Sequence, residues 1–350
     1  MNEADSEKLA AVFEKQGYKL VEDINQADIV IINTCSVRES AENRVFGLIS
    51  NLVKQRTKKQ KIILTGCMVG SARGERRRYT LLQLKKKLPQ VDEFKTVEEL
   101  IGSEKISSKY KKKTSVFVPI MRGCNHFCSY CVVPYARGKE VSRPFEEIVC
   151  EVEELARRGY KEITLLGQNV NSYGKDTKKP KTQVKNQKIK KFKNKFAQLL
   201  VALHQISGIK KISFITSNPW DLTDEIIEAM SLPKIDRYFH LPVQSGDDEI
   251  LRRMNRPYTA GEYIKLVEKI RKKIPDIKIG TDIIVGFPGE SEKAFQNTVK
   301  LCKKVGFVKA YIAKYSPRPG TAAYKFKDNV LPEEKKRRWR ILEELINKSS

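Results

Sequence analysis

Cys124-Asn-His-Phe-Cys128-Ser-Tyr-Cys131 follows directly on Val116–Ile120, an apolar run (VFVPI) that reads as a buried strand. Three thiolates at the spacing C-x-x-x-C-x-x-C, in a loop just past a strand, can bind three irons of a 4Fe-4S cube. The fourth iron is then left without a protein ligand, whereas electron-carrying ferredoxins supply four cysteines. An open iron can chelate a small molecule through its amino and carboxylate groups. The alternative is zinc, which takes four ligands with two to four residues between paired cysteines. His126 lies within the loop and is poorly placed to complete a tetrahedron.

Downstream, five further strands are expected at Glu162–Leu166, Lys211–Ile215, Tyr238–Pro242, Lys278–Val285 and Val308–Lys314. Helical patterns such as Phe145–Arg158, Leu222–Ala229 and Ala260–Lys273 separate most of them. Six β/α units over residues 115–330 predict a partial, open barrel rather than a closed eight-stranded one. The stretch Gly174–Lys195 carries ten lysines and no periodicity, so it is expected to be a solvated insertion. Residues 331–350 predict a closing helix.

Upstream, residues 1–104 predict a parallel-sheet domain of the Rossmann or flavodoxin-like type. Asp28–Ile32 and Lys61–Leu64 read as strands, the first ending in Asn33-Thr34-Cys35 and the second in Thr65-Gly66-Cys67. Ligands of parallel sheets bind at the carboxyl ends of the strands, so two cysteines at matching ends suggest one shared site. Residues 105–114, inside the polar run GSEKISSKYKKKT, are expected to link the two domains.

Seven cysteines, three of them within eight residues, argue for metal or cluster ligation rather than a disulfide framework. Cys150 and Cys302 lie in apolar helical settings, match no motif and are expected to be buried. His204 and His240 are expected to pack or hydrogen-bond. Lys and Arg total 68 against 42 acidic residues, a formal charge of +26, which favours a polyanionic partner. The Arg76-Arg77-Arg78 run is either a solvated face or a phosphate contact. No apolar run of about 18 residues is present and the first residues lack a signal-peptide pattern, so the expectation is a cytoplasmic protein without a membrane span.

The cluster loop at the head of a β/α barrel resembles the radical S-adenosylmethionine (SAM) superfamily. Its methylthiotransferase branch is similar to nearly the whole chain. The resemblance is carried by NTCSVRESAENR (33–44), GCM (66–68), MRGCNHFCSYCVVPYARGKEVSRP (121–144), LLGQNVNSYG (165–174), HLPVQSGDDEILRRMNR (240–256) and TDIIVGFPGE (281–290). CVVPYARG with EVSRP and LGQNVN is most similar to the enzymes that modify isopentenyladenosine beside the anticodon. Sister branches act on threonylcarbamoyladenosine in tRNA or on a ribosomal protein. A rival of another class is a nucleic-acid-binding protein with a structural metal site.

The resemblance implies that Cys124, Cys128 and Cys131 hold the SAM-binding 4Fe-4S cluster and that Cys35 and Cys67 ligate an auxiliary one. It implies reductive splitting of SAM to a 5′-deoxyadenosyl radical, which takes hydrogen from the adenine C2 position. Sulfur comes from the auxiliary cluster and methyl from a second SAM. It further implies Tyr130 against the SAM adenine, and Gly286, Pro288 and Gly289 in a turn where SAM runs close to backbone; core packing and turn geometry are the bland readings of these four. The implied partners are tRNA, through its anticodon loop, and a reducing donor such as flavodoxin or ferredoxin. Two departures stand out. The family pattern G-C-Q-M-N-x-x-D-S-E meets M-N-E-A-D-S-E here, so the first auxiliary cysteine falls before Met1 and one cluster rather than two is expected. The family's small RNA-binding β domain is expected to be missing after the barrel.

Overall fold

The computed structural model describes residues 1–37, 39–56, 60–102, 115–176 and 187–348. The expected linker at 105–114 lies outside them. The N-terminal part runs α1 (Asn2–Lys15), β1 (Ile29–Thr34), α2 (Glu39–Gln55), β2 (Lys61–Gly66), α3 (Cys67–Arg73), α4 (Leu81–Lys87), β3 (Glu93–Phe94) and α5 (Val97–Ile101). Its sheet is parallel in the order β1-β2-β3. β2 is central because it is apolar on both faces. Ile62 and Leu64 meet Ile49 and Leu52 of α2 and Leu84 of α4, while Ile63 meets Leu9 of α1 and Leu100 of α5. Such two-sided burial is what a parallel sheet requires. The two-residue strand β3 had too little pattern to be read from sequence.

The second part opens with β4 (Ser115–Pro119), then a hairpin of β5 (Met121–Arg122) and β6 (Val141–Ser142) with α6 (Val133–Ala136) between them. It continues through α7 (Phe145–Arg157), β7 (Glu162–Leu166), α8 (Gln187–Lys190), α9 (Lys195–Gln205), β8 (Lys211–Phe214), α10 (Asp224–Met230) and β9 (Tyr238–His240). It ends with α11 (Asp248–Arg253), α12 (Ala260–Lys273), β10 (Lys278–Val285), α13 (Glu292–Val305), β11 (Lys309–Lys314) and α14 (Pro332–Asn347). Two parallel sheets, β4-β7-β8 and β9-β10-β11, meet at the parallel bridge Ile212–Ile235. The result is the six-stranded open arc expected from the sequence. Val118, Leu165, Ile212, Phe239, Ile283 and Val285 fill its interior.

The open edge of β11 is covered by α14. Asn347 donates to the Ala310 carbonyl and accepts from the Ala310 N–H, at 2.9 and 3.0 Å, and Trp339 Nε1 donates to the Ile312 carbonyl at 3.0 Å. Side chains thus occupy backbone groups that would otherwise template another strand. Arg338 Nη1 meets Glu290 Oε2 at 2.7 Å in a buried pair that pins α14 to the turn after β10.

Two expectations are corrected. Cys150 is exposed: α7 buries Ile148, Val152 and Leu155, and position 150 falls on the opposite face of that 3.6-residue period. Cys302 on α13 is buried as expected. The lysine-rich stretch is not wholly solvated. Residues 177–186 lie outside the described residues, but Ile189 and Phe192 are buried in the barrel core. Two apolar side chains four apart or nearer suffice to anchor a short helix that composition alone reads as solvent.

Candidate functional site

β4 delivers the chain to the carboxyl edge of the arc, and the β5–β6 hairpin closes the base of the loop that carries Cys124, Cys128 and Cys131. Gly123 N donates to Gln168 Oε1 at 2.5 Å and Cys124 N to the Gly138 carbonyl at 3.1 Å, so the loop is tied at both ends. His126 N donates to Cys124 Sγ at 3.4 Å, and Arg256 Nη1 lies 3.5 Å from Cys128 Sγ. Burial pushes the Cys124 and Cys131 thiols up to about 12, and each also feels Cys128. All three thiols are free. Among the described residues no three His, Cys, Asp or Glu side chains are placed to hold a single metal ion. Three free thiols in one loop are the donor set that a 4Fe-4S cube with one open iron takes.

His126 turns away from the thiols, with Nε2 3.2 Å from Asp221 Oδ2. Asp221 also accepts from Ser172 Oγ at 2.5 Å, Asn218 Nδ2 at 2.7 Å and Asn169 Nδ2 at 3.3 Å, and pairs with Lys175. Burial alone would push this carboxyl up. The donors His126, Lys175, Ser172 and Asn218 outweigh it and hold the group well below the usual carboxylate range. The network is assembled from the loops after β7 and β8 together with His126 of the cysteine loop, so its members lie scattered from 126 to 221. No spacing in the sequence announces it.

Tyr130 packs beside Met254, Phe287 and Tyr315. Burial raises its phenol far above the ordinary value. Gly286 and Gly289 have φ of 68° and 86°, and Pro288 between them is buried. A Cβ at Gly286 would meet Lys335, and one at Gly289 would meet Arg253. The close approaches there are made by side chains of this chain, and both glycines take the left-handed φ that a turn asks for. His240 Nε2 stands 3.2 Å from Asp282, and burial lowers the pKa of His204.

Cys35 and Cys67 end neighbouring strands, because Thr34 of β1 is in register with Gly66 of β2. Gly66, at φ 84°, lets the strand ends meet: a Cβ there would lie 2.3 Å from Asn33 Oδ1. Thr34 Oγ1 donates to the Thr65 carbonyl and accepts from Met68 N, at 2.5 and 3.1 Å. The barrel part completes this site with two arginines. Arg137 Nε lies 3.3 Å from Cys67 Sγ, while its other nitrogens reach Asp5 at 2.6 Å and Asn2 at 2.5 Å. Arg318 donates to the Ser36 carbonyl at 2.9 Å and pairs with Glu42 at 2.6 Å. Burial pushes the Cys67 thiol up and Arg137 works against it. Arg137 is six residues past Cys131, and α3 packs so closely on α6 that a Cβ at Gly70 would lie 2.1 Å from the Ala136 carbonyl. One short segment therefore touches both cysteine sites, which sequence reading left unconnected.

Residues 118–302 match the Radical SAM superfamily, and residues 1–88 match the Uncharacterized protein family UPF0004. The tRNA-2-methylthio-N(6)-dimethylallyladenosine synthase of Clostridium tetani is 43% identical, covering 100% of this chain and 79% of that protein. Its namesake in Dehalococcoides mccartyi is 44% identical, covering 99% of this chain and 79% of that one. Among solved structures, the radical S-adenosylmethionine methyltransferase TsrM of Kitasatospora setae, with cobalamin and a 4Fe-4S cluster bound, superposes with a TM-score of 0.60. At 13% identity over 91% of this chain and 74% of that one, it speaks for the fold alone. With a superfamily match over the barrel and relatives above 40% identity along essentially all of this chain, it belongs to the radical SAM methylthiotransferase family.

Proposed function

We propose that this protein is a tRNA methylthiotransferase that converts N6-isopentenyladenosine beside the anticodon to its 2-methylthio derivative. The observation that carries the reading is the pairing of two cysteine sites. Three free thiols, Cys124 and Cys128 buried and Cys131 partly so, share the loop after β4, and two more end β1 and β2, with Arg137, six residues past Cys131, placed on Cys67. SAM with 4Fe-4S clusters, when bound, supplies hydrogen abstraction from carbon and the sulfur and methyl of the new bond.

Cys124, Cys128 and Cys131 are the residues proposed to hold the SAM-binding cluster, and Cys35 and Cys67 the auxiliary one. The protein's part is to place and shield them. The His126 N–H and the Arg256 guanidinium stabilise negative charge on the Cys124 and Cys128 sulfurs. Arg137 and Arg318 hold the Cys67 and Cys35 strand ends against the barrel. The substrate is proposed to enter through the anticodon loop, a single-stranded region whose bases a pocket can take without melting a duplex. A flavodoxin or ferredoxin is the proposed electron donor. No helix among the described residues is long and apolar enough to cross a membrane; a cytoplasmic location is proposed with the tRNA substrate.

The test is mass spectrometry of tRNA nucleosides from cells lacking the protein. The 2-methylthio derivative should vanish while isopentenyladenosine accumulates. Unchanged tRNA, with a methylthio group lost from a ribosomal protein instead, would move the chain to the sister branch.

A further inference from the structure

The arginine run at 76–78 is divided by the fold. Arg78 is structural: it donates to the Pro319 carbonyl and to Ser36 Oγ, both at 3.0 Å, and is almost fully buried. Arg76 is not consumed in that way. Its guanidinium carbon lies 4.7 Å from the centre of the Phe127 ring, and its shielded Nη1 has no hydrogen-bond partner among the described residues. An unmade bond on a shielded guanidinium is costly, so a ligand that accepts it gains what the free protein forgoes. Phe127 is 43% exposed, although it sits inside the Cys124–Cys128 loop, with Tyr135 edge-on at 6.2 Å. A large aromatic left in solvent beside a free cationic donor is the pairing that nucleic-acid grooves use, where bases stack on rings and phosphates meet arginines.

Arg76 and Tyr135 border a cleft of about 340 Å³ between the N-terminal sheet and the barrel loop. Five basic side chains line it against two acidic ones. Lys139–Glu75 and Arg122–Glu98 are solvent-exposed pairs, which are worth little and are readily exchanged for phosphate. Gly138 faces open space in this wall, and Gly66, also in the lining, directly precedes Cys67. The volume suits a nucleotide and excludes a duplex, whose bases offer no free face to a ring.

We propose that this cleft and the exposed Phe127 ring outside it, joined by Arg76 at the border, seat single-stranded RNA next to the nucleotide being modified, with a neighbouring base stacked on Phe127 and its phosphate held by Arg76. The inference rests on the tRNA reading above and adds the surface on which the loop docks. The test is fluorescence anisotropy of an anticodon stem-loop RNA carrying isopentenyladenosine, titrated with the full chain after anaerobic reconstitution. Phe127→Leu should bind about tenfold more weakly, as expected for the loss of one base–aromatic stack. Phe127→Trp should restore binding, which a purely structural role of Phe127 would not predict. Arg76→Gln should also weaken binding and lower the slope of log K against log salt by about one, the signature of a lost phosphate contact. Iron content read on the same samples reports whether the loop still holds its cluster. Should Phe127→Leu lose iron, Arg76→Gln decides alone, because Arg76 belongs to the other domain. If both variants match the unmodified protein in affinity and salt slope while it binds RNA and methylthiolates it, the surface is wrong and the tRNA reading stands. If the unmodified protein binds no RNA, both fall together.

Discussion

The two cysteine sites are built by opposite routes. Cys124, Cys128 and Cys131 lie within one loop, closed by a two-residue hairpin and steadied by Gln168 and the 253–256 segment of the same barrel. Cys35 and Cys67 are 32 residues apart in the chain and meet only because β1 and β2 pair in parallel register. The first site needs local geometry. The second needs a folded sheet, a glycine at 66 and arginines lent by the barrel. A loop site held within the barrel should therefore tolerate disturbance of the contact between the two parts, whereas a strand-end site should fail with it.

The largest effect separates ligand from bystander. Cys128→Ala should abolish reductive SAM cleavage to 5′-deoxyadenosine, while Cys150→Ala, on the exposed face of α7, should leave it intact. Product formation by the Cys128 variant in an anaerobic chromatographic assay would undo the assignment of the loop.

Next is Arg137→Gln, which strikes the strand-end site. Partners that orient metal ligands typically cost 10–100-fold when lost. Methylthio product should fall by about that factor, with SAM cleavage falling much less, since the 124–131 loop keeps its own ties. Equal losses in both assays would mean that Arg137 supports the whole interface rather than Cys67.

Asp221→Asn should act on stability. Removing one partner of a buried charged network typically costs about 3–5 kcal/mol, and the amide keeps part of the bonding, so about 2–3 kcal/mol is expected by denaturant titration. The sign with pH follows from the depressed carboxyl. Its stabilisation is present above the unfolded value of about 3.9 and lost as pH falls below it. The unmodified protein should thus lose more stability than the variant between about pH 5 and pH 3. Parallel curves would show that the carboxylate is not the group responsible.

The smallest effect tests the edge cover. Asn347→Ala leaves the Ala310 N–H and carbonyl without their side-chain partner and should cost about 1–2 kcal/mol, with no change in iron content. A larger cost with loss of iron would tie α14 to the cluster loop.

What the sequence determined by itself was everything written at short range. The three-cysteine loop, the two strand ends with their cysteines, and the six β/α units were all legible, because strand and helix periodicity and ligand spacing span a few residues each. Strand limits moved by a residue or two, as at Tyr238–His240, where the chain leaves the ladder before Pro242. Single-residue burial was less legible. Cys150 lies in an apolar helix yet faces solvent, and Phe192 lies among lysines yet fills the core. Only the tertiary structure decided the rest. Asp221 with Lys175, Arg137 with Cys67, Arg78 with Pro319 and Trp339 with the β11 edge at Ile312 join residues 46, 70, 241 and 27 positions apart. Their partners are chosen by strand register and domain packing, and a linear pattern carries neither.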